Sequence, residues 1–179
     1  MFSLRADDEV DLELAEEHHA QVIFDLTDRS REHLGAWMPW VPATVTVADT
    51  LGFLKFVRAE YAAGRQFHAN LRYRGEVVGA IGLRINRPNL TCEMGYWIGA
   101  GHEGRGIVTR GARALTSAAF RDLGLNRVEI RAGTRNARSR AVPERLGFTF
   151  EGVLREHEKV GERFLDHAVY SMLAADWAG

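Results

Sequence analysis

Trp97-Ile98-Gly99-Ala100-Gly101-His102-Glu103-Gly104-Arg105-Gly106-Ile107-Val108-Thr109 joins an apolar, aromatic run to a run with helical spacing, and its reading decides the fold. Glycines at 99, 101, 104 and 106 permit positive φ and close approach of another group to the backbone. The N–H groups that open the following helix have no partner within it and can hold an anion. A phosphate-bearing ligand is one reading, and a flexible loop capped by a helix is the other; the stretch alone leaves both open. Two familiar phosphate motifs do not account for it. Gly99, Gly101 and Gly104 match the dinucleotide fingerprint, but the acidic residue that should end the next strand is replaced by Ala132 and Gly133. No Gly-Lys-Ser/Thr follows the glycines, which excludes a Walker loop.

Outward from this turn the hydrophobic period changes. Downstream, Val108, Ala112, Leu115, Ala119 and Leu123 step by three or four, which predicts a helix ending at Gly124. Upstream, residues 92–98 read as a strand, preceded by a hairpin of 67–73 and 77–85 around Arg74-Gly75-Glu76. These three should form an antiparallel meander. A strand at 10–14, a helix at 18–34 and a second helix at 46–63 precede them, the latter opening on Thr and Asp. After the central helix come a strand at 128–132, a short helix at 137–146 and strands at 148–156 and 164–173. The expectation is a mixed α/β (α+β) fold, a mostly antiparallel sheet with helices on both faces and a β-loop-α-β unit at its centre.

The chain has 179 residues and shows no repeat or Pro- or Ser-rich linker, so one domain over 1–179 is expected. A hydrophobic share of 46% with 26% charge is enough for a core. Lys and Arg number 23 against 24 Asp and Glu, a balance that offers no global field for nucleic acid or anionic membrane. No apolar run approaches the ~20 residues of a membrane helix. Cys92 is the sole cysteine and the start lacks the order of a signal peptide, so a cytoplasmic location is expected. His18 and His19 are adjacent and no His-Glu-x-x-His occurs, so no metal site is expected.

Four motifs follow in order: Glu93-Met-Gly-Tyr-Trp-Ile98, Glu103-Gly-Arg-Gly-Ile-Val-Thr109, Leu125-Asn-Arg-Val-Glu-Ile130 and Asn136-Ala-Arg-Ser-Arg-Ala-Val-Pro-Glu-Arg-Leu-Gly-Phe148. Together they resemble the GNAT acetyltransferases, and within them the RimJ/RimL type that acetylates N-terminal Ser or Ala of ribosomal proteins. Leu34-Gly-Ala-Trp-Met-Pro-Trp-Val41 resembles the same branch. The resemblance implies a V-shaped opening between the strands near Ile98 and 128–132, and acetyl-CoA as acetyl donor. In that opening pantetheine would pair with the backbone of Trp97, Ile98 and Gly99, and pyrophosphate would rest on the N–H groups of residues 104–109.

The chain departs from the family at two places. Glu103 stands where Gln or Arg is usual, so it should act through its backbone only. Pro143 stands where many members carry a Tyr that protonates the departing thiolate. The resemblance assigns Glu158 as general base and Ser139 to the neighbourhood of the thiolate; a surface carboxylate and a first-turn serine after an Asn136 cap are the plainer readings. Asn136 and Arg138 are assigned to the cofactor side, and the other arginines nearby read as a solvated face. Trp37 and Trp40 would line the acceptor channel, or else form a packing cluster. The expected activity is direct acetyl transfer to a primary amine, first a protein N-terminal amine of the ribosomal kind. A small-molecule amine acceptor and a non-catalytic acyl-CoA-binding module are the alternatives, and relatives of this type suggest a homodimer.

Overall fold

The computed structural model describes residues 3–179; the first two residues of the leading segment lie outside it. The strands are β1 (Ser3–Arg5), β2 (Val10–Leu14), β3 (Gln66–Tyr73), β4 (Glu76–Asn86), β5 (Thr91–Ile98), β6 (Arg127–Gly133), β7 (Thr149–Val160) and β8 (Arg163–Leu173). They form one sheet in the order β1-β2-β3-β4-β5-β6-β8-β7. Neighbours are antiparallel except β5 and β6, which run parallel and are joined by the crossover helix α4 (Ile107–Arg121). The remaining helices are α1 (Ala20–Arg29), α2 (Arg31–Gly35), α3 (Val47–Ala62) and α5 (Ala137–Arg145).

Alternation along the strands divides the core between two faces. Phe67, Leu71, Ile81, Leu83, Met94 and Ile130 pack with Ile107, Leu115 and Ala119 of α4, with Val142 of α5 and with Leu146 just after it. On the other face Ile23 of α1 and Leu54 and Val57 of α3 form a smaller cluster that Val77 and Trp97 join. Each buried aliphatic side chain contributes ~1.5–3 kcal/mol, so the α4 face supplies most of the hydrophobic stabilisation.

Helix α3 begins as its sequence predicts. Thr46 is the N-cap, and the Thr46 N–H donates to Asp49 Oδ2 at 2.7 Å while the Asp49 N–H donates to Thr46 Oγ1 at 3.3 Å. The single helix expected over 18–34 is broken instead. It becomes a 3-10 turn at Glu17–His19, then α1 and α2, separated at Ser30. Serine readily leaves helical geometry when its hydroxyl finds another backbone partner, and Ser30 Oγ accepts from the Ala100 N–H at 3.0 Å. The break therefore ties α1 and α2 to the glycine-rich turn. Strand β1 is an addition to the expected elements, and β7 runs to Val160 instead of residue 156 because it resumes after a bulge.

One feature of the sheet positions the site. On its β4 side β5 stays paired as far as Ile98, opposite Gly79. On its β6 side pairing stops at Met94, opposite Ile130. Beyond that point the two parallel strands splay apart, and a V opens between residues 95–98 and 131–133.

Candidate active site

The V leaves backbone groups without a sheet partner. The Gly99 N–H donates to Val78 O at 2.8 Å, so by the alternation of an antiparallel ladder Trp97 also turns its main chain to β4. Ile98 and Tyr96 are then the β5 residues whose N–H and C=O face the gap. The backbone surface expected from Trp97, Ile98 and Gly99 together thus reduces to Ile98, with Tyr96 added. Gly99 serves a different purpose: a Cβ there would meet Leu26 Cδ1 at 2.3 Å, so its bare backbone is what lets α1 lie against the turn.

Past the V the chain enters α4 through Gly101, Gly104 and Gly106 at φ of 87°, 75° and 70°. Gly106 is the N-cap in left-handed geometry, and the first intrahelical bond is Arg110 N–H to Gly106 O at 3.0 Å. The N–H groups of Ile107, Val108 and Thr109 are left unbonded among the described residues. A Cβ built on Gly104 or Gly106 meets nothing within 4 Å, so the space over the turn is open. A helix start with free donors and open space above it fits the diphosphate of a coenzyme A thioester. Arg105 folds back and donates to Gly101 O at 3.2 Å.

Glu103 avoids those donors. Its Oε2 accepts from the Gly101 N–H at 2.6 Å, and its Oε1 lies 3.4 Å from His33 Nδ1 and 3.5 Å from Arg138 Nη1. Burial opposes ionisation of Glu103, but its own N–H, the Gly101 N–H, His33 and Arg138 prevail and hold its carboxyl below the usual range. Its side chain therefore does take part, by bracing the turn between α2 and α5, which differs from the backbone-only role expected. Arg138 pairs with it and is otherwise exposed.

A cleft of about 420 Å³ lies on the α1/α3 face where the strands part, and it is lined by Trp37, Trp40, Trp97, Ser139, Glu158 and His167 among others. Residues 99–109 do not line it. Asn136, Ser139 and Tyr96 also reach it, although α5 packs on the opposite face, so the gap is open through the sheet. Trp40 and Trp97 form one wall with ring centroids 5.8 Å apart. Trp37 covers the end of β6: a Cβ on Gly133 would be 3.3 Å from its ring. Arg163, next to the β7–β8 turn, donates to Ala36 O at 3.1 Å and so holds the tryptophan loop against that hairpin.

Ser139 lies in the first turn of α5, where Asn136 Oδ1 accepts from its N–H at 3.1 Å. Its carbonyl would normally bond the N–H four residues on, but that residue is Pro143, which has none. The Tyr96 hydroxyl donates to Ser139 O instead at 2.8 Å, and Ser139 Oγ lies 3.4 Å from the same hydroxyl. Burial pushes the Tyr96 hydroxyl above the ordinary tyrosine value, so it keeps its proton.

Glu158 borders the cleft with its Oε2 3.3 Å from His167 Nε2. His68, half-buried on the cleft wall, is pushed down to about 4 by desolvation. Tyr96, His68 and His167 were not anticipated. The alternation of β5 points to Tyr96 only once the length of the β6 pairing is known, and nothing local in sequence links His167 to Glu158. Cys92 is buried and its thiol is pushed up to about 12, chiefly by desolvation. No group of three metal-ligating side chains lies together, and no helix is long and apolar enough to cross a membrane, among the described residues.

Comparison with known proteins gives a consistent result. The acetyltransferase (GNAT) domain model matches residues 10–149. A putative ribosomal N-acetyltransferase of Bacillus subtilis (strain 168), YdaF, is 35% identical over 182 residues, covering 100% of this chain and 99% of that protein. The ribosomal-protein-serine acetyltransferase of Escherichia coli (strain K12) is 25% identical over 96% of each chain. Among solved structures, the microcin C7 self-immunity acetyltransferase MccE in complex with acetyl-CoA and AMP superposes with a TM-score of 0.89, at 26% identity over 94% of each chain.

Proposed function

Because the chain belongs to the GNAT family and is therefore an acetyl-CoA-dependent N-acetyltransferase, we propose that its acceptor is a protein N-terminal α-amine of the ribosomal kind, acetylated directly with both substrates bound. The observation that carries this reading is the open V. It joins the glycine-rich turn on the α4 side to a cleft on the other face that Glu158, Ser139, Trp37 and Trp40 line. The full-length likeness to YdaF and to the ribosomal-protein-serine acetyltransferase supports a protein acceptor.

Acetyl-CoA supplies the acetyl group as a thioester. The N–H groups of Ile107, Val108 and Thr109 hold its diphosphate, and the main chain of Ile98 offers a strand edge to its pantetheine. Trp37 and Trp40 enclose the incoming peptide end. Glu158 receives a proton from the amine nitrogen as it attacks. An α-amine, with a reference pKa of ~7.7–8.0 against ~10.4 for lysine, needs only a modest base for this. Ser139, held by Asn136 and Tyr96, stands at the gap with a hydroxyl that can hydrogen-bond the departing sulfur. A covalent relay is not needed, and a cysteine with a pKa of about 12 would be a poor one.

The test is the pH profile of kcat/KM for thiol release with a Ser-initiated peptide. Glu158→Gln should lower it by something like 10²-fold near pH 7, with recovery as alkali deprotonates the amine unaided. A wild-type rate and profile in that variant would make Glu158 a surface carboxylate.

A further inference from the structure

Three residues of β7, 155–157, stand opposite the single residue Asp166, because Leu154 pairs with His167 and Glu158 with Leu165. This bulge is fixed locally: Glu156 takes φ 48°, and its N–H donates to Asp166 Oδ1 at 2.7 Å. A regular strand would put Glu156 opposite Leu165, so the bulge is what brings Glu158 to that place. There its Oε2 lies 3.3 Å from Nε2 of His167, the diagonal neighbour on β8.

His167 is held in an unusual way. Its side chain is 12% exposed, and its Nδ1 is buried without a hydrogen-bond partner. A proton on Nδ1 would have no acceptor, at a cost of ~1–3 kcal/mol and more for a charged ring. The proton therefore belongs on Nε2, the ring atom that stands 3.3 Å from Glu158 Oε2. Other charged groups close this side. The His157 ring of β7 lies tilted against that of His167 with centroids 5.2 Å apart and its Nε2 3.1 Å from Arg131 Nη1, and Arg131 of β6 is itself paired with Glu129 at 2.6 Å and Glu93 at 3.6 Å. Asp166 of β8 is turned to the Glu156 backbone, and the tryptophan loop over residues 37–40 brings no charge.

We propose that His167 is a positioning residue for catalysis: through its Nε2–H it pins one oxygen of Glu158 and leaves the other free for the amine. This rests on the reading of Glu158 as the base. Held from β8 at one oxygen, the Glu158 carboxylate has its orientation at the cleft border fixed. The transfer balances without an outside reagent. The nitrogen–carbon bond forms as the carbon–sulfur bond breaks, one proton passes from nitrogen to Glu158 and on to water, and the sulfur, leaving as thiolate, takes one proton back from water.

The experiment measures thiol release from acetyl-CoA with hexapeptides beginning in Ser or Ala, for wild type, Glu158→Gln, His167→Phe and His167→Gln across pH 5.5–9.5. His167→Phe should lose about tenfold in kcat/KM at pH 7 at an unchanged KM for acetyl-CoA. The rate should recover to within about twofold by pH 9, where the amine is deprotonated unaided and needs little from a well-placed base. His167→Gln, which restores a donor, should stay within about threefold of wild type. An unchanged rate in His167→Phe, or a loss that is equal at every pH, overturns the proposal while leaving Glu158 as base. A wild-type rate in Glu158→Gln instead overturns the base assignment and the proposal with it. Should the Phe variant not fold, nitrogen-15 imidazole spectra of the wild type decide: the Nε2–H tautomer at His167 is expected, and Nδ1–H overturns the proposal.

Discussion

The hydroxyl of Tyr96 donates to the carbonyl of Ser139 at 2.8 Å, taking the place of the helix N–H that Pro143 cannot supply. The residue that breaks the family pattern at 143 thus creates the bond that holds a β5 side chain against the first turn of α5. Tyr96→Phe leaves that carbonyl short of a partner and should destabilise the fold by ~1–3 kcal/mol, read as a lower urea midpoint at unchanged slope. It should also slow turnover, because Ser139 loses its neighbour at the gap. Ser139→Ala should slow turnover less than Glu158→Gln, since it removes only help to a thiol of reference pKa ~8.5. A Ser139→Ala rate as low as that of Glu158→Gln would contradict this ordering.

The proposed seat of the diphosphate over the glycine turn predicts a selective loss of donor binding. Gly106 lies at φ 70° beneath open space, so Gly106→Val both strains the turn and fills the place over the free N–H groups. Acetyl-CoA affinity by calorimetry should fall at least tenfold in a protein that remains folded by circular dichroism. Normal affinity in the folded variant would remove the diphosphate from this turn.

The tryptophan pair predicts the opposite selectivity. The Trp40 ring lies tilted against Trp97 on the cleft wall, away from the glycine turn. Trp40→Ala should raise KM for the peptide more than for acetyl-CoA. Equal changes in both, or a loss of thermal stability alone, would reduce the pair to packing.

These expectations show how much of the molecule is legible in its residues. The β5–turn–α4 unit is local: strand alternation, glycines and helical spacing each act over a few residues, and α3 announces its own start through Thr46 and Asp49. The break at Ser30 is not local, because the hydroxyl that competes with the helix does so through Ala100, seventy positions away. The same holds at the site. Trp37, Trp40, Ser139 and Glu158 are found through a resemblance, whereas Tyr96 and His167 depend on where β6 stops pairing and on a bulge in β7. Glu103 illustrates the limit from the other side: its charge is visible in sequence, but its partners His33 and Arg138 come from two different helices.

A charge network under the far end of the sheet predicts acid sensitivity. The Arg127 guanidinium, joined by the Ser171 hydroxyl, brings Glu151 down to about 2. A depressed folded value means that this stabilisation is present above the unfolded pKa of ~4.3 and is lost as pH falls towards about 2. Because the Glu151 side chain is 40% exposed, screening reduces its worth to ~1 kcal/mol. Glu151→Gln should lower Tm by a few degrees at pH 7 and bring the two curves together between pH 4 and 2. Parallel curves throughout would mean that the pair contributes nothing.

The central claim is that this acetyltransferase acts on α-amines at peptide ends, and the most direct measurement is an acceptor panel read by thiol release and by mass-spectrometric mapping of the acetylated nitrogen. The panel contains hexapeptides with free Ser, Ala or Met ends, the same peptides with a blocked end and one internal lysine, spermidine and an aminoglycoside. The account predicts acetylation at the α-nitrogen of the free peptides, with kcat/KM at least tenfold above every other acceptor at pH 7.5. Faster transfer to the blocked lysine peptide, to spermidine or to the aminoglycoside would contradict it.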